Sequence, residues 1–294
     1  IADFGNGVMV LGTRNPNPGN VYRSEDYGQT WKWMGNITGD DFITCIASDG
    51  SGSGYILTGN HTHVWKSSDH GKSWKDMGKV SDGKNNEGFA NAYGMMVTKK
   101  GNVLIADANS EGGHIYRSTD MAETWTDIGA ISGRALYRLN EVGDGIIVNG
   151  WAGHIYKSKD DGKTWKDMGK LTSSYLYAIE YLDNGVVLIG TESGNIFKSR
   201  DNGETWEDLG ILADAADDFA FFGRHRVLYS NYTGQKKIFV SSNGGEDWRD
   251  IGNVGTSAEG DWFDHVIAVE KDSCTIIVGG TNKGFVLRKL IGIK

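Results

Sequence analysis

Apolar residues along this chain come in short runs, each closed by Gly, Asn or Asp. The segment LYAIEYLDNGVVLIGTESGNIFKSRD shows the pattern, with runs rich in Val, Ile, Tyr and Phe at residues 176–181, 186–190 and 195–199. Runs of this length and composition, bounded by turn residues, predict β-strands. A fourth strand is expected around residues 205–209. Four antiparallel strands in about 40 residues is the unit of a β-propeller blade.

The unit recurs along the whole chain. YRSEDYGQTWKWMG begins at Tyr22, WKSSDHGKSWKDMG at Trp65, YRSTDMAETWTDIG at Tyr116 and YKSKDDGKTWKDMG at Tyr156. FKSRDNGETWEDLG begins at Phe197 and FVSSNGGEDWRDIG at Phe239. Their shared acid, or its stand-in, falls at Asp26, Asp69, Asp120, Asp160, Asp201 and Asn243, spaced 43, 51, 40, 41 and 42 residues apart. IADFGNGVMVLGT at the start aligns with IEYLDNGVVLIGT from Ile179, so the first strand is entered partway; Ile1 in place of Met predicts processing or truncation upstream. From His265, three more strands follow without the motif. The expected fold is all-β: one seven-bladed β-propeller over residues 1–294, with a three-stranded last unit and a six-bladed ring as the alternative.

The recurring Ser-x-Asp-x-Gly-x-Thr-Trp resembles the Asp box, or bacterial neuraminidase repeat, of the sialidase-like propellers. The resemblance covers nearly the whole chain. It implies the propeller fold and a range of functions, since such motifs occur in sialidases, xyloglucanases, polysaccharide lyases and photosystem assembly factors. The chemistry of the motif is structural. A carboxylate accepts several N–H and O–H hydrogen bonds and closes a turn, Gly supplies positive φ, and Trp supplies an apolar plate. A set repeated on every blade cannot mark one active site. In the third copy Ala122 replaces Gly, which predicts a strained or rearranged turn.

Composition narrows the partners. A net charge of −8 and no polybasic run argue against nucleic acid and against an anionic membrane surface. No apolar run reaches the roughly 20 residues of a membrane span. Cys45 and Cys274 lie in different repeats and read as buried free thiols. A monomer without a cofactor is expected, with an extracellular or cell-surface location favoured.

With the motif on one face, the candidate site moves to the other, where the blade-to-blade loops and the loops between second and third strands ring the channel mouth. Its acids supply a candidate catalytic pair from adjacent blades, Asp218 and Asp264, with Asp41 as a third, because glycosidases set two carboxylates about a scissile bond. Arg134 and Tyr175 are candidates for positioning substrate. Trp151 and Trp262 stand outside the motif columns and either stack on a sugar or cap a blade core. His61, His114 and His154 add polar groups, but they come from separate loops without ligand spacing, so no metal is expected. The three-arginine clamp and the Arg-Ile-Pro segment of sialidases are missing from these residues. Two functions remain: a glycan-directed hydrolase or lyase at the channel mouth, or a non-catalytic module binding a glycan or a protein.

Overall fold

The computed structural model describes residues 1–13, 19–39, 41–58, 63–80, 94–107, 112–231, 237–253, 263–271, 274–281 and 286–292. They form seven antiparallel sheets, each following chain order from its inner to its outer strand. Blade 1 contains β1 (Ala2–Asp3), β2 (Met9–Gly12), β3 (Val21–Ser24) and β4 (Lys32–Gly35). Blade 2 contains β5 (Ile43–Ser48), β6 (Gly54–Thr58), β7 (His63–Ser67) and β8 (Lys75–Lys79). Blade 3 contains β9 (Gly94–Val97), β10 (Val103–Ala106), β11 (Gly113–Ser118) and β12 (Thr126–Ser132). Blade 4 contains β13 (Leu136–Val142), β14 (Gly145–Gly150), β15 (His154–Ser158) and β16 (Lys166–Lys170). Blade 5 contains β17 (Leu176–Tyr181), β18 (Val187–Thr191), β19 (Asn195–Ser199) and β20 (Glu207–Ile211). Blade 6 contains β21 (Ala216–Phe221), β22 (Val227–Asn231), β23 (Lys237–Ser241) and β24 (Arg249–Asn253). Blade 7 has three strands, β25 (Phe263–Lys271), β26 (Cys274–Thr281) and β27 (Val286–Gly292). The molecule is a seven-bladed β-propeller.

Burial explains the strand order. The second strands are mostly buried, Val187–Thr191 along its whole length, while outer strands such as Glu207–Ile211 are largely exposed. Fully burying one Val, Leu or Ile contributes about 1.5–3 kcal/mol, so the most apolar run of each repeat takes the middle of the sheet. Each blade then packs its face on the next. Leu11 and Met9 of blade 1 meet Ile276 and Val278 of blade 7, which closes the ring.

The motif forms the turn between third and fourth strands. Asp201 Oδ1 accepts from the Ser199 hydroxyl and the Thr205 N–H, both at 2.8 Å, and Oδ2 accepts from the Thr205 hydroxyl at 2.6 Å. The Gly203 N–H donates to Ser199 Oγ, and Trp206 Nε1 donates to the Gly203 carbonyl. Burial alone would raise this carboxyl, but the Thr205 and Ser199 donors outweigh it and hold Asp201 at about 2. Gly203 has φ +84°, and a Cβ there would lie 2.4 Å from Ile147 of the preceding blade. The turn holds Thr205 and Trp206, so the fourth strand starts at Glu207, two residues after the sequence-based expectation.

Two variant copies show how the turn tolerates change. In blade 6, Asn243 Oδ1 accepts from the Asp247 N–H and Asn243 Nδ2 donates to Asp247 Oδ2, so acid and donor have exchanged places. In blade 3 the turn is not rearranged. Ala122 takes φ +70°, keeps its N–H bond to Ser118 Oγ, and is fully buried in the core between blades 2 and 3. The buried methyl offsets part of the left-handed strain. Cys45 and Cys274 are free, as expected, but half-buried rather than buried.

A second repeated contact joins the blades. Arg23 donates to the His70 carbonyl, Arg117 to the Asp161 carbonyl at 2.7 Å, and Arg288 to the Tyr27 carbonyl at 2.9 Å. Each acceptor is the left-handed residue before the motif glycine of the next blade, with φ of 59°, 62° and 59° for His70, Asp161 and Tyr27. Lys157 and Lys198 instead pair with Glu204 and Glu246 of the next turn. Arg288 thus closes blade 7 on blade 1 with the bond that Arg23 makes between blades 1 and 2.

Two stability results are expected. Asp160→Asn removes the acceptor for the Thr164 hydroxyl and should cost about 1–2 kcal/mol. Asp160→Asn with Thr164→Asp recreates the blade 6 arrangement and should recover most of that loss in urea unfolding. The five motif aspartates, Asp26, Asp69, Asp120, Asp160 and Asp201, all sit at about 2. Folded values below the ordinary 3.8 mean their stabilisation is full above that value and lost as pH falls toward 2. Acid titration followed by tryptophan fluorescence should show this loss.

Candidate functional site

Two groupings of polar and aromatic side chains stand outside the repeated motif turns. The first is a shelf across blades 4 and 5. Residues Trp151–Gly153 form a 3-10 turn between β14 and β15. The Trp151 N–H donates to the Ala135 carbonyl at 2.9 Å, and Gly153 packs so tightly on the Thr172 carbonyl that no side chain fits there. The turn holds the Trp151 ring edge-on to Tyr175, with centroids 4.4 Å apart. Tyr175 stacks on Tyr177 at 6.1 Å, and Tyr177 meets Tyr137 edge-on at 6.0 Å. The Arg134 guanidinium lies 5.3 Å from the Trp151 ring centre, a cation–π contact. Beside Tyr177 opens a cavity of about 440 Å³ lined by Glu192, Ser193, Ile211 and Asp214. Ile211 is 71% exposed at its rim.

The structure therefore brings Arg134, Trp151 and Tyr175 together, three of the residues expected to hold a ligand. Tyr137, Tyr177 and Glu192 complete the grouping. Tyr137 and Tyr177 carry a sequence signal, an aromatic at the same inner-strand position in ALYRL and YLYAI. Rings with one polar side and one apolar face suit a ligand with both kinds of surface.

The second grouping lies between the inner strands. Asp218 on β21 accepts from the Val266 N–H of β25 at 3.0 Å through Oδ2, the same atom that lies against His265 Nδ1. Glu180 on β17 accepts from the Phe221 N–H of β21 and from Asn140 Nδ2 of β13, both at 3.3 Å. Burial pushes the Glu180 carboxyl up to about 8, with the Asp218 charge adding to the rise. Burial also acts to raise Asp218, but His265 and Arg138 together outweigh it and hold the group below its ordinary value. Burial lowers His265. At neutral pH the arrangement is a protonated Glu180 near an ionised Asp218.

Asp218 thus sits in a neighbourhood with His265, Glu180 and Arg138. The Asp264 side chain, Trp262 and His61 lie outside the described residues. Asp41 is buried in the link from blade 1 to blade 2, where its Oδ1 accepts from the Phe42 N–H at 2.8 Å and its carbonyl from Thr38 Oγ1. Among the described residues the histidines do not converge. His114 Nδ1 pairs with Asp127 at 3.1 Å and His154 Nδ1 with Asp167 at 3.2 Å, each within its own blade. His63–Asp76 and Lys237–Asp250 occupy the same positions in blades 2 and 6, so the pair is a repeated strap between third and fourth strands. No group of three or more metal-ligating side chains occurs among the described residues. No helix there is long and apolar enough to cross a membrane.

Glu180 gives the inner cluster a measurable signature. Between the ordinary 4.5 and about 8 the folded protein holds a proton that the unfolded chain releases. Stability therefore falls as pH rises across that window. Glu180→Gln should flatten this dependence and gain on the order of 1–2 kcal/mol at pH 8, since the side chain keeps partial contact with solvent. Denaturant unfolding at pH 5 and pH 8 measures both.

Comparison with known proteins agrees with this architecture. Residues 19–134 match the Sortilin-Vps10 family model, described as sortilin, neurotensin receptor 3. No curated protein matches the chain. Among solved structures, YCF48 bound to D1 peptide is 18% identical, with 99% of this chain and 91% of that one covered and a TM-score of 0.72. A GH74 enzyme of Niastella koreensis is 17% identical, with 98% of this chain and 51% of the enzyme covered and a TM-score of 0.73. A streptogramin B lyase is 10% identical, with 97% of each chain covered and a TM-score of 0.74. This chain spans about half the length of the GH74 enzyme. At these identities the likeness is one of fold.

Proposed function

We infer that this protein is a carbohydrate-binding propeller of the Asp-box type, and that the Trp151–Tyr175–Tyr177 shelf is its binding surface. The observation that carries the reading is the aromatic shelf running into a polar cavity. Trp and Tyr faces stack on the apolar face of a sugar ring, while Glu192, Ser193 and Asp214 line the adjoining cavity with groups that hydrogen-bond hydroxyls. The acidic groups favour a neutral glycan over an anionic one. Titration calorimetry against a panel of neutral oligosaccharides should find a ligand. Trp151→Ala and Tyr175→Ala should each weaken it about tenfold, near 1.4 kcal/mol. Unchanged affinity in both variants would move the ligand elsewhere.

A second reading, a glycoside hydrolase or lyase, is favoured by one observation. Glu180 is held protonated while Asp218 is held ionised, and titratable groups pushed apart in this way suit acid and base roles. In this reading Glu180 and Asp218 share the two roles. A screen of neutral and acidic polysaccharides for new reducing ends or unsaturated products tests it. Turnover lost in both Glu180→Gln and Asp218→Asn supports catalysis. Binding without turnover on every substrate leaves the binding reading alone.

A further inference from the structure

The cavity beside Tyr177 differs from the motif turns in what its acids meet. At the turns, Glu204 takes Lys157 and Lys159, and Glu246 takes Lys198 and Arg200. In the cavity lining, Glu192 and Asp214 pair with no lysine, arginine or histidine among the described residues. The Glu192 carboxylate accepts from the Tyr177 hydroxyl at 3.4 Å. Arg134, the cation of the shelf, sits on Trp151 and not in the cavity lining.

The main chain fixes both acids beside the shelf. The Glu192 N–H donates to the Tyr175 carbonyl at 2.9 Å, and the Ser193 N–H to Ser174 Oγ at 3.2 Å. Their turn packs on residues 212–214. The Leu212 N–H donates to the Gly194 carbonyl at 3.2 Å, and the Ala213 carbonyl lies so close that no side chain fits on Gly194. The Asp214 carbonyl accepts from the Tyr229 hydroxyl at 2.8 Å. Ile211 adds an apolar wall. The same position holds Asn36, Lys79, Ala130, Lys170 and Asn253 in the other four-stranded blades. Blade 5 thus sets a large apolar side chain where two other blades carry a lysine.

We propose that this cavity selects glycans bearing a free amino group, whose ammonium pairs with Glu192 and Asp214 while the sugar ring lies against Tyr177 and Ile211. The inference rests on the reading of the shelf as a carbohydrate surface and adds the substrate class. An ammonium gains both from carboxylates and from an aromatic face, whereas a hydroxyl gains from neutral hydrogen bonding alone. Acetylation of the amine removes its charge and with it most of the gain. Both acids are exposed, so salt screens the attraction. The net charge of −8 adds a longer-range pull on a cationic chain.

The test uses the intact chain and three β-1,4-linked tetrasaccharides that differ only at C2. These are the tetramers of glucosamine, N-acetylglucosamine and glucose, which carry an ammonium, an acetamide and a hydroxyl there. In titration calorimetry at pH 6 and low salt, the glucosamine tetramer should bind about tenfold more tightly than the other two, as two exposed ion pairs allow. The margin should shrink in about 0.5 M NaCl. Glu192→Gln combined with Asp214→Asn should bring the three tetramers within about threefold of one another. Equal binding of the three by the parent chain overturns the inference and leaves the glycan reading standing. A preference that persists in the double variant also overturns it, since the recognised charge then lies elsewhere. So does tetralysine bound as tightly as the glucosamine tetramer, which makes the partner a basic peptide. If no tetramer binds, the inference falls, and the neutral panel with Trp151→Ala and Tyr175→Ala decides the glycan reading separately. Because the ligands are compared on one protein, a misfolded variant, which loses all three, cannot imitate a lost preference.

Discussion

Each motif turn depends on one carboxylate. Asp201 and its counterparts accept the hydroxyl and N–H that follow four residues later, and the Ser hydroxyl two residues earlier, so the turn satisfies its own polar groups. That frees the left-handed residue before the glycine to offer its carbonyl outward. Arg23, Arg117 and Arg288 use that carbonyl to bind the next blade. The same turn therefore shapes one blade and fastens its neighbour. The exchange of roles between Asn243 and Asp247 shows that the requirement is for a complementary donor and acceptor rather than for an aspartate at one place.

Fixing one face leaves the opposite face free to differ between blades. The His114–Asp127 and His154–Asp167 straps still repeat there, but the mouth loops do not. Among the described residues, only at blades 4 and 5 do an arginine, a tryptophan and three tyrosines come within ring contact of one another. A second departure lies deeper, where Glu180 and Asp218 each cross to the main chain of the next inner strand. Both departures sit on a frame whose other elements recur, which is why they stand out as functional candidates.

The loop positions of Arg134, Trp151 and Tyr175 were legible because the strand pattern assigns each loop to a face. Their mutual contact was not, since it depends on how blade 4 is turned against blade 5. Glu180 left a weak trace, as an acid inside the apolar inner strand LYAIEY. Its protonation depends on burial and on Asp218, 38 residues away in the chain. His114 and His154, expected as polar groups on separate loops, are each held by an aspartate 13 residues later in the same blade.

Sequence alone determined the seven-unit ring and the structural role of the motif, because strand alternation, turn chemistry and repeat spacing are local and recur in every copy. Tertiary structure alone decided which side chains meet across blade boundaries and which carboxyl keeps its proton. Those outcomes arise from contacts between residues far apart in the chain, and a repeating local pattern carries no record of them.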